Sequence, residues 1–217
     1  MNFEKARILM VENQLRPNKI NDSNILSIFN EIEKEKFLNN NLMNLAYSDL
    51  DLNLIENRGY LKNLHIAQLL QHSNIKKEDN ILHIGGLTGY VTLILSKLSN
   101  YVYVIENDKI LFKELEHNLN RLKLNNVQII NHDFKLGYKE KSPYDIIFVD
   151  CPTKNFSNNI LDQLNPNLGR LIMVEKIKDE LSRGIRITKN TNSFNKEILF
   201  DVFSKFSLFE HKEEFKF

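Results

Sequence analysis

Cysteine occurs once in this 217-residue chain, at Cys151, so neither an internal disulfide framework nor a multi-cysteine zinc site is available. An excess of one charge is missing too. The 29 basic and 28 acidic side chains leave a formal net charge of +1, which gives no electrostatic case for a nucleic-acid or membrane partner. No apolar run approaches the roughly 18 residues that a spanning helix needs. The opening MNFEKARILMVENQL carries charges every few residues, unlike a signal peptide or an anchor. The expectation is a cytoplasmic protein. His65, His72, His117, His132 and His211 show no metal-ligand spacing, so no metal site is expected. What is present is 42% hydrophobic residues in a length suited to one sizeable core.

Two patterns divide the chain. Residues 1–45 read as helical, with Phe3, Ala6, Ile8, Leu9, Val11 and Leu15 keeping one face apolar. Pro17 should end that stretch. Asp22 or Ser23 can cap a second helix through Ile25, Leu26, Ile28, Phe29 and Ile32. The run Glu31 to Lys36 reads as a solvated helix face. Residues 46–59 lack a clean period and suggest loop with short extended pieces, and 61–72 return to helical spacing. From residue 80, short apolar runs (81–84, 101–105, 127–130, 145–149, 170–174) alternate with amphipathic stretches near 89–99, 108–123 and 157–164. That alternation predicts βαβ units and a parallel sheet. GIRITK (184–189) and EILFDVF (197–203) suggest an added antiparallel pair at one sheet edge. The economical reading is one domain over 1–217, with an N-terminal helical cap (1–75) on a Rossmann-like α/β core (76–217).

The informative segment is Ile81-Leu82-His83-Ile84-Gly85-Gly86-Leu87-Thr88-Gly89-Tyr90. An apolar strand runs into a glycine turn and then a helix, where open α/β sheets hold nucleotide-like ligands. Gly85 permits a tight turn, Gly89 permits close helix–strand approach, and the helix N-terminus offers unpaired N–H groups. Glu106 follows sixteen residues beyond Tyr90, where a carboxylate can accept hydrogen bonds from both hydroxyls of a ribose. Asp150 ends the fourth strand, where substrate-facing groups gather, although a capping carboxylate explains it equally well. Cys151 reads most simply as a buried thiol.

The ordered segments ILHIGGLTGY, VIEND, NHDF, PYDIIFVD and LNPNLGRLIMV resemble the motifs of class I S-adenosylmethionine-dependent methyltransferases. The N-terminal MVENQLRP, IND, I-x-K-E-K-F and Ala46-Tyr47 narrow the resemblance to the protein-L-isoaspartate O-methyltransferase family, from about residue 10 to 175. The resemblance implies a mostly parallel seven-stranded sheet and S-adenosylmethionine as cofactor. It places His83, Gly85, Gly86, Gly89, Glu106 and Asp133 at the cofactor, with Glu106 at the ribose and Asp133 at the adenine amino group. It implies a protein or peptide carboxylate as acceptor and a monomer acting alone.

Three positions depart from the family. His83 stands where an acid is usual and Leu87 where a glycine is usual. Leucine cannot cheaply adopt positive φ, and losing two cofactor contacts weakens binding by about 2–4 kcal/mol, or roughly 30- to 1000-fold. Gly59-Tyr60-Leu61-Lys62-Asn63 stands where the family has Thr-Ile-Ser. Lys62 and Asp150 are the candidate catalytic positions, Lys62 as a partner for a carboxylate substrate, against the plain reading of a surface lysine. Two other functions stay open on these residues. One is a catalytically degenerate relative that binds a partner. The other is a nicotinamide-dependent oxidoreductase, although GGLTGY does not match G-x-G-x-x-G.

Overall fold

The computed structural model describes residues 1–154, 158–191 and 193–209. The alternating half folds as its pattern predicts. β3 (Asn80–Ile84), β4 (Tyr101–Ile105), β5 (Val127–Ile130), β6 (Ile146–Thr153) and β7 (Arg170–Lys178) lie parallel, and β8 (Leu181–Asn190) and β9 (Ser193–Phe203) run antiparallel beyond them, in the order β5-β4-β3-β6-β7-β8-β9. This is the mostly parallel seven-stranded sheet of the Rossmann-like methyltransferase class. Strands buried on both faces need continuous apolar runs rather than alternation, and every residue of β6 is buried. The order reverses on either side of β3. The carboxyl ends of β3, β4 and β6 therefore meet at a topological switch point, the place where such sheets hold ligands.

The crossover helices are α4 (Tyr90–Leu98), α5 (Lys109–Arg121) and the short α6 (Asn158–Asp162). Asp108 caps α5 by accepting from the amides of Ile110 and Leu111, both at 2.9 Å. The helix expected near 157–164 is shorter, and position 157 lies outside the described residues, as do His211, Phe215 and Phe217.

The N-terminal part contributes α1 (Phe3–Met10), α2 (Ser23–Glu31, capped by Asp22) and α3 (Asn63–Ser73). Met10, Val11, Leu15, Leu26 and Phe29 join Ile81, Leu82 and Ile94 in one apolar cluster. Residues 46–59, expected as loop with extended pieces, hold β1 (Leu52–Ile55) and the start of β2 (Arg58–Tyr60), an antiparallel hairpin outside the main sheet.

Two expectations are corrected. Pro17 does not end the first stretch. α1 runs through a wider π turn (Val11–Leu15) into a 3-10 turn that includes Pro17, and the chain leaves at Lys19 with φ 65°. The run 31–36 is not a solvated helix face. α2 stops at Glu31, and a 3-10 turn (Lys34–Phe37) turns Lys34 and Glu35 inward. Lys34 donates to Asn63 Oδ1 at 2.7 Å and lies 5.3 Å from the ring centroids of both Tyr60 and Tyr90. Glu35 accepts from the Tyr47 hydroxyl and pairs with Arg7 at 3.6 Å.

Candidate active site

The loop after β3 turns because Gly85 and Gly89 take φ of 88° and 101°, conformations an L side chain resists. The amides of Gly85 and Gly86 are held by the Ile105 carbonyl, at 2.9 and 3.1 Å. Leu87 also adopts left-handed φ, at 51°, so the turn does require what leucine supplies only under strain, about 1–2 kcal/mol. Its side chain is 1% exposed and its amide donates to Glu106 Oε2 at 3.0 Å. Apolar burial and a charge-assisted hydrogen bond hold the strained residue in place.

Glu106, immediately beyond β4, is fully buried. Its Oε1 accepts from Arg58 Nη1 at 2.6 Å and from the amides of Asn107 and Asp108, each at 3.0 Å. Its Oε2 accepts from Arg58 Nη2 at 2.7 Å and from the Leu87 amide. An ionised carboxylate has about four acceptor sites. Five donors therefore occupy all of them, two belonging to the bidentate guanidinium fork. Arg58 comes from β2 and lies 5.0 Å over the Phe134 ring. Burial alone lowers a guanidinium's proton affinity, but the hydrogen bonds and charge of Glu106 outweigh it and hold Arg58 above its ordinary value.

Tyr60 does the same for the helix. Its hydroxyl accepts from the Tyr90 amide at the start of α4, at 3.1 Å. It lies 2.8 Å from Thr88 Oγ1, whose own proton goes to the Phe37 carbonyl at 2.7 Å, so Tyr60 is the donor in that pair. Gly59 lets the hairpin close, since a Cβ there would stand 2.0 Å from the Leu52 carbonyl oxygen.

His83 and Asp150 are brought together beneath the loop. His83 Nε2 lies 3.3 Å from Asp150 Oδ1, and Nδ1 lies 2.9 Å from Thr92 Oγ1. Both ring nitrogens are thus engaged inside the protein, and the imidazole is fully buried. Asp133 is exposed, accepts from the Lys135 amide at 2.9 Å, and shares with Arg58, Asn107 and Asp108 a cavity of about 470 Å³. Lys62 is placed elsewhere, 3.7 Å from Asp49 in a separate cleft with Asp51, Glu56 and Glu180. Cys151 is a buried free thiol, pushed up to about 12 by burial.

Arg58, Tyr60 and Lys34 were not singled out in the sequence. One signal was there to find: Arg58 is the sole arginine between Arg16 and Arg121, set among acids that do not need it locally.

Relatives match the chain along most of its length. The family model for protein-L-isoaspartate(D-aspartate) O-methyltransferase matches residues 6–202. The chain belongs to that family. Within the isoaspartate methyltransferase family, the enzyme of Protochlamydia amoebophila is 30% identical over 164 residues, 76% of this chain and 78% of its own. A solved protein-L-isoaspartate O-methyltransferase superposes with a TM-score of 0.79 at 22% identity, over 94% of this chain and 65% of that one. The Plasmodium falciparum family member, solved with S-adenosyl-L-homocysteine, gives 0.77 at 22% identity, over 94% of this chain and 99% of that one. At such identities the two structures speak for the fold. Glu106 and the hairpin bearing Arg58 and Tyr60 both lie within the matched region.

Proposed function

We propose that this chain is an S-adenosylmethionine-dependent methyltransferase that methylates carboxylates on damaged proteins or peptides, working as a monomer in the cytoplasm. The observation that carries the reading is the unbroken family match over residues 6–202, in a chain whose ribose-type acid stands beside the glycine loop at the switch point. The bound cofactor would bring a methyl group on a sulfonium, and a protein serving that chemistry mainly aligns reactants and excludes water. Among the described residues no helix is long and apolar enough to cross a membrane.

In the arrangement described, the residues that would hold that cofactor are engaged with one another. A ribose needs acceptors on Glu106, and all of them are filled. The first amide of α4 is likewise taken, by Tyr60. The alternative is a methyltransferase fold kept for binding a partner without catalysis. Calorimetric titration of the purified chain with S-adenosylmethionine and S-adenosylhomocysteine separates the two. Micromolar binding, followed by methylation of an isoaspartyl peptide over its normal counterpart, supports the enzyme. Absence of binding at millimolar cofactor, both in the full chain and in the opened variants described below, leaves only the second reading.

A further inference from the structure

Beyond β9 the chain turns back over the site it has just helped to enclose. The Ser204 amide donates to Glu180 O at 2.8 Å, that of Ser207 to Asn57 O at 2.9 Å, and that of Leu208 to Pro152 O at 2.8 Å. Lys176 Nζ donates to Phe206 O at 3.2 Å. The segment is thereby tied at once to the β7–β8 turn, the β1–β2 hairpin and the carboxyl end of β6. Phe206 and Leu208 are 5% and 4% exposed, so their side chains are seated in the protein rather than laid on it. Leu208 closes over Gly85, where its Cδ1 lies 3.0 Å from the position a Cβ would take, and Arg58 Nη2 lies 3.4 Å from the same point. Phe206 packs against Gly59, its ring edge 2.8 Å from the corresponding point there. A leucine and a guanidinium together cover the face of the loop glycine that a nucleoside's backbone approach requires.

We propose that residues 204–209 form an autoinhibitory strap, which together with the Arg58 fork on Glu106 holds the cofactor site shut, so that strap docking and S-adenosylmethionine binding exclude each other. The proposal rests on the methyltransferase reading above. The two closures support one another: Ser207 is tied to Asn57, next to Arg58 in the chain, and Leu208 is seated on the same glycine as the guanidinium. Lifting the strap frees the hairpin's neighbour, and withdrawing Arg58 returns two acceptor positions on Glu106. Because a ligand that binds only the open state sees an affinity reduced by the fraction open, removing the strap raises apparent affinity without adding any contact.

The test uses S-adenosylhomocysteine with three proteins: the full chain, a chain ended at Phe203, and Arg58→Gln. Calorimetry reads affinity, and hydrogen exchange reads the strap amides of Ser207 and Leu208 in the full chain with and without ligand. The expected result is affinity at least tenfold tighter in the shortened chain, with faster exchange at Ser207 and Leu208 when the full chain is saturated. Arg58→Gln, which leaves the strap in place, should also bind more tightly, and it keeps the proposal testable if the shortened chain does not fold. Equal affinity in all three proteins, with exchange at the strap unchanged by ligand, overturns the strap while leaving the methyltransferase reading intact. Failure of all three to bind at millimolar ligand overturns both together.

Discussion

Replacing Arg58 by methionine tests the energetics of the closed site directly. The pair it breaks is almost wholly inside, with Arg58 8% exposed and Glu106 0%. Removing one partner of such a pair leaves the other charge buried, which costs about 3–5 kcal/mol. Two features of this site reduce the figure. Glu106 keeps three backbone donors, from Leu87, Asn107 and Asp108. Arg58 Nε has no hydrogen-bond partner among the described residues, so the substitution removes one buried unsatisfied donor worth about 1 kcal/mol or more. A methionine of similar reach also keeps contact with Phe134. The expected loss is therefore about 2–3 kcal/mol, which for a chain of this size lowers Tm by roughly 4–12 °C. Adding Glu106→Gln should recover at least half of it, because the uncompensated charge is then gone. Urea unfolding of the four proteins of this double-mutant cycle gives the coupling. A loss below about 0.5 kcal/mol for Arg58→Met, or no recovery in the double variant, would refute the claim that the fork is a desolvated pair.

Leu87 reverses a usual ranking. Truncation to alanine should cost about 2–4 kcal/mol, and truncation to glycine about 1 kcal/mol less than that, since only glycine relieves the left-handed φ of 51°; urea midpoints for the two variants measure the difference, and a less stable glycine variant contradicts it. Lys34 gives a pH signature. Burial lowers its amine to about 7, against the pull of Asp51 and Asp150, while Tyr60 and Tyr90, the rings that flank it, are raised by their own burial and stay neutral. Between about pH 7 and 10.5 the unfolded chain binds the Lys34 proton more than the folded chain does, so this group's contribution to stability rises with pH across that window and is flat below it. Lys34→Met should remove that rise, seen as a shrinking gap between wild type and variant from pH 7 to 10; parallel pH profiles would contradict it.

Much of the architecture was legible because its signals are local and repeated. The apolar runs at 81–84, 101–105, 127–130 and 170–174 form β3, β4, β5 and β7 of the parallel sheet, and Asp22 caps α2 as expected. The turn at Gly85 and Gly89 was legible from the strand–turn–helix order. What was not legible depends on partners far apart in sequence. Nothing near Lys34 announces Asn63, and nothing near Arg58 announces Glu106, 48 residues on. Lys34 and Glu35 read as solvated because charged residues in a periodic stretch usually are; a helix ending at Glu31 and a tighter turn after it changed which way they face. His83 was expected to face the cofactor, and the structure engages both its nitrogens with Thr92 and Asp150 instead.

One border of the sheet is β9, an eleven-residue strand that carries Phe194, Ile198 and Phe203 largely exposed. A long border of that kind is a template on which a strand from another molecule can add. Here the register slips between Gly184 and Ile185, which bends the hairpin, and Lys196 and Glu197 are drawn into pairs with Glu175 and Arg186 rather than left free to repel a newcomer. With a net charge of only +1, the molecule also has little long-range self-repulsion to keep copies apart. Colloidal behaviour near neutral pH therefore depends on this edge as well as on charge, and a charged replacement at the exposed Ile198 is expected to improve solubility.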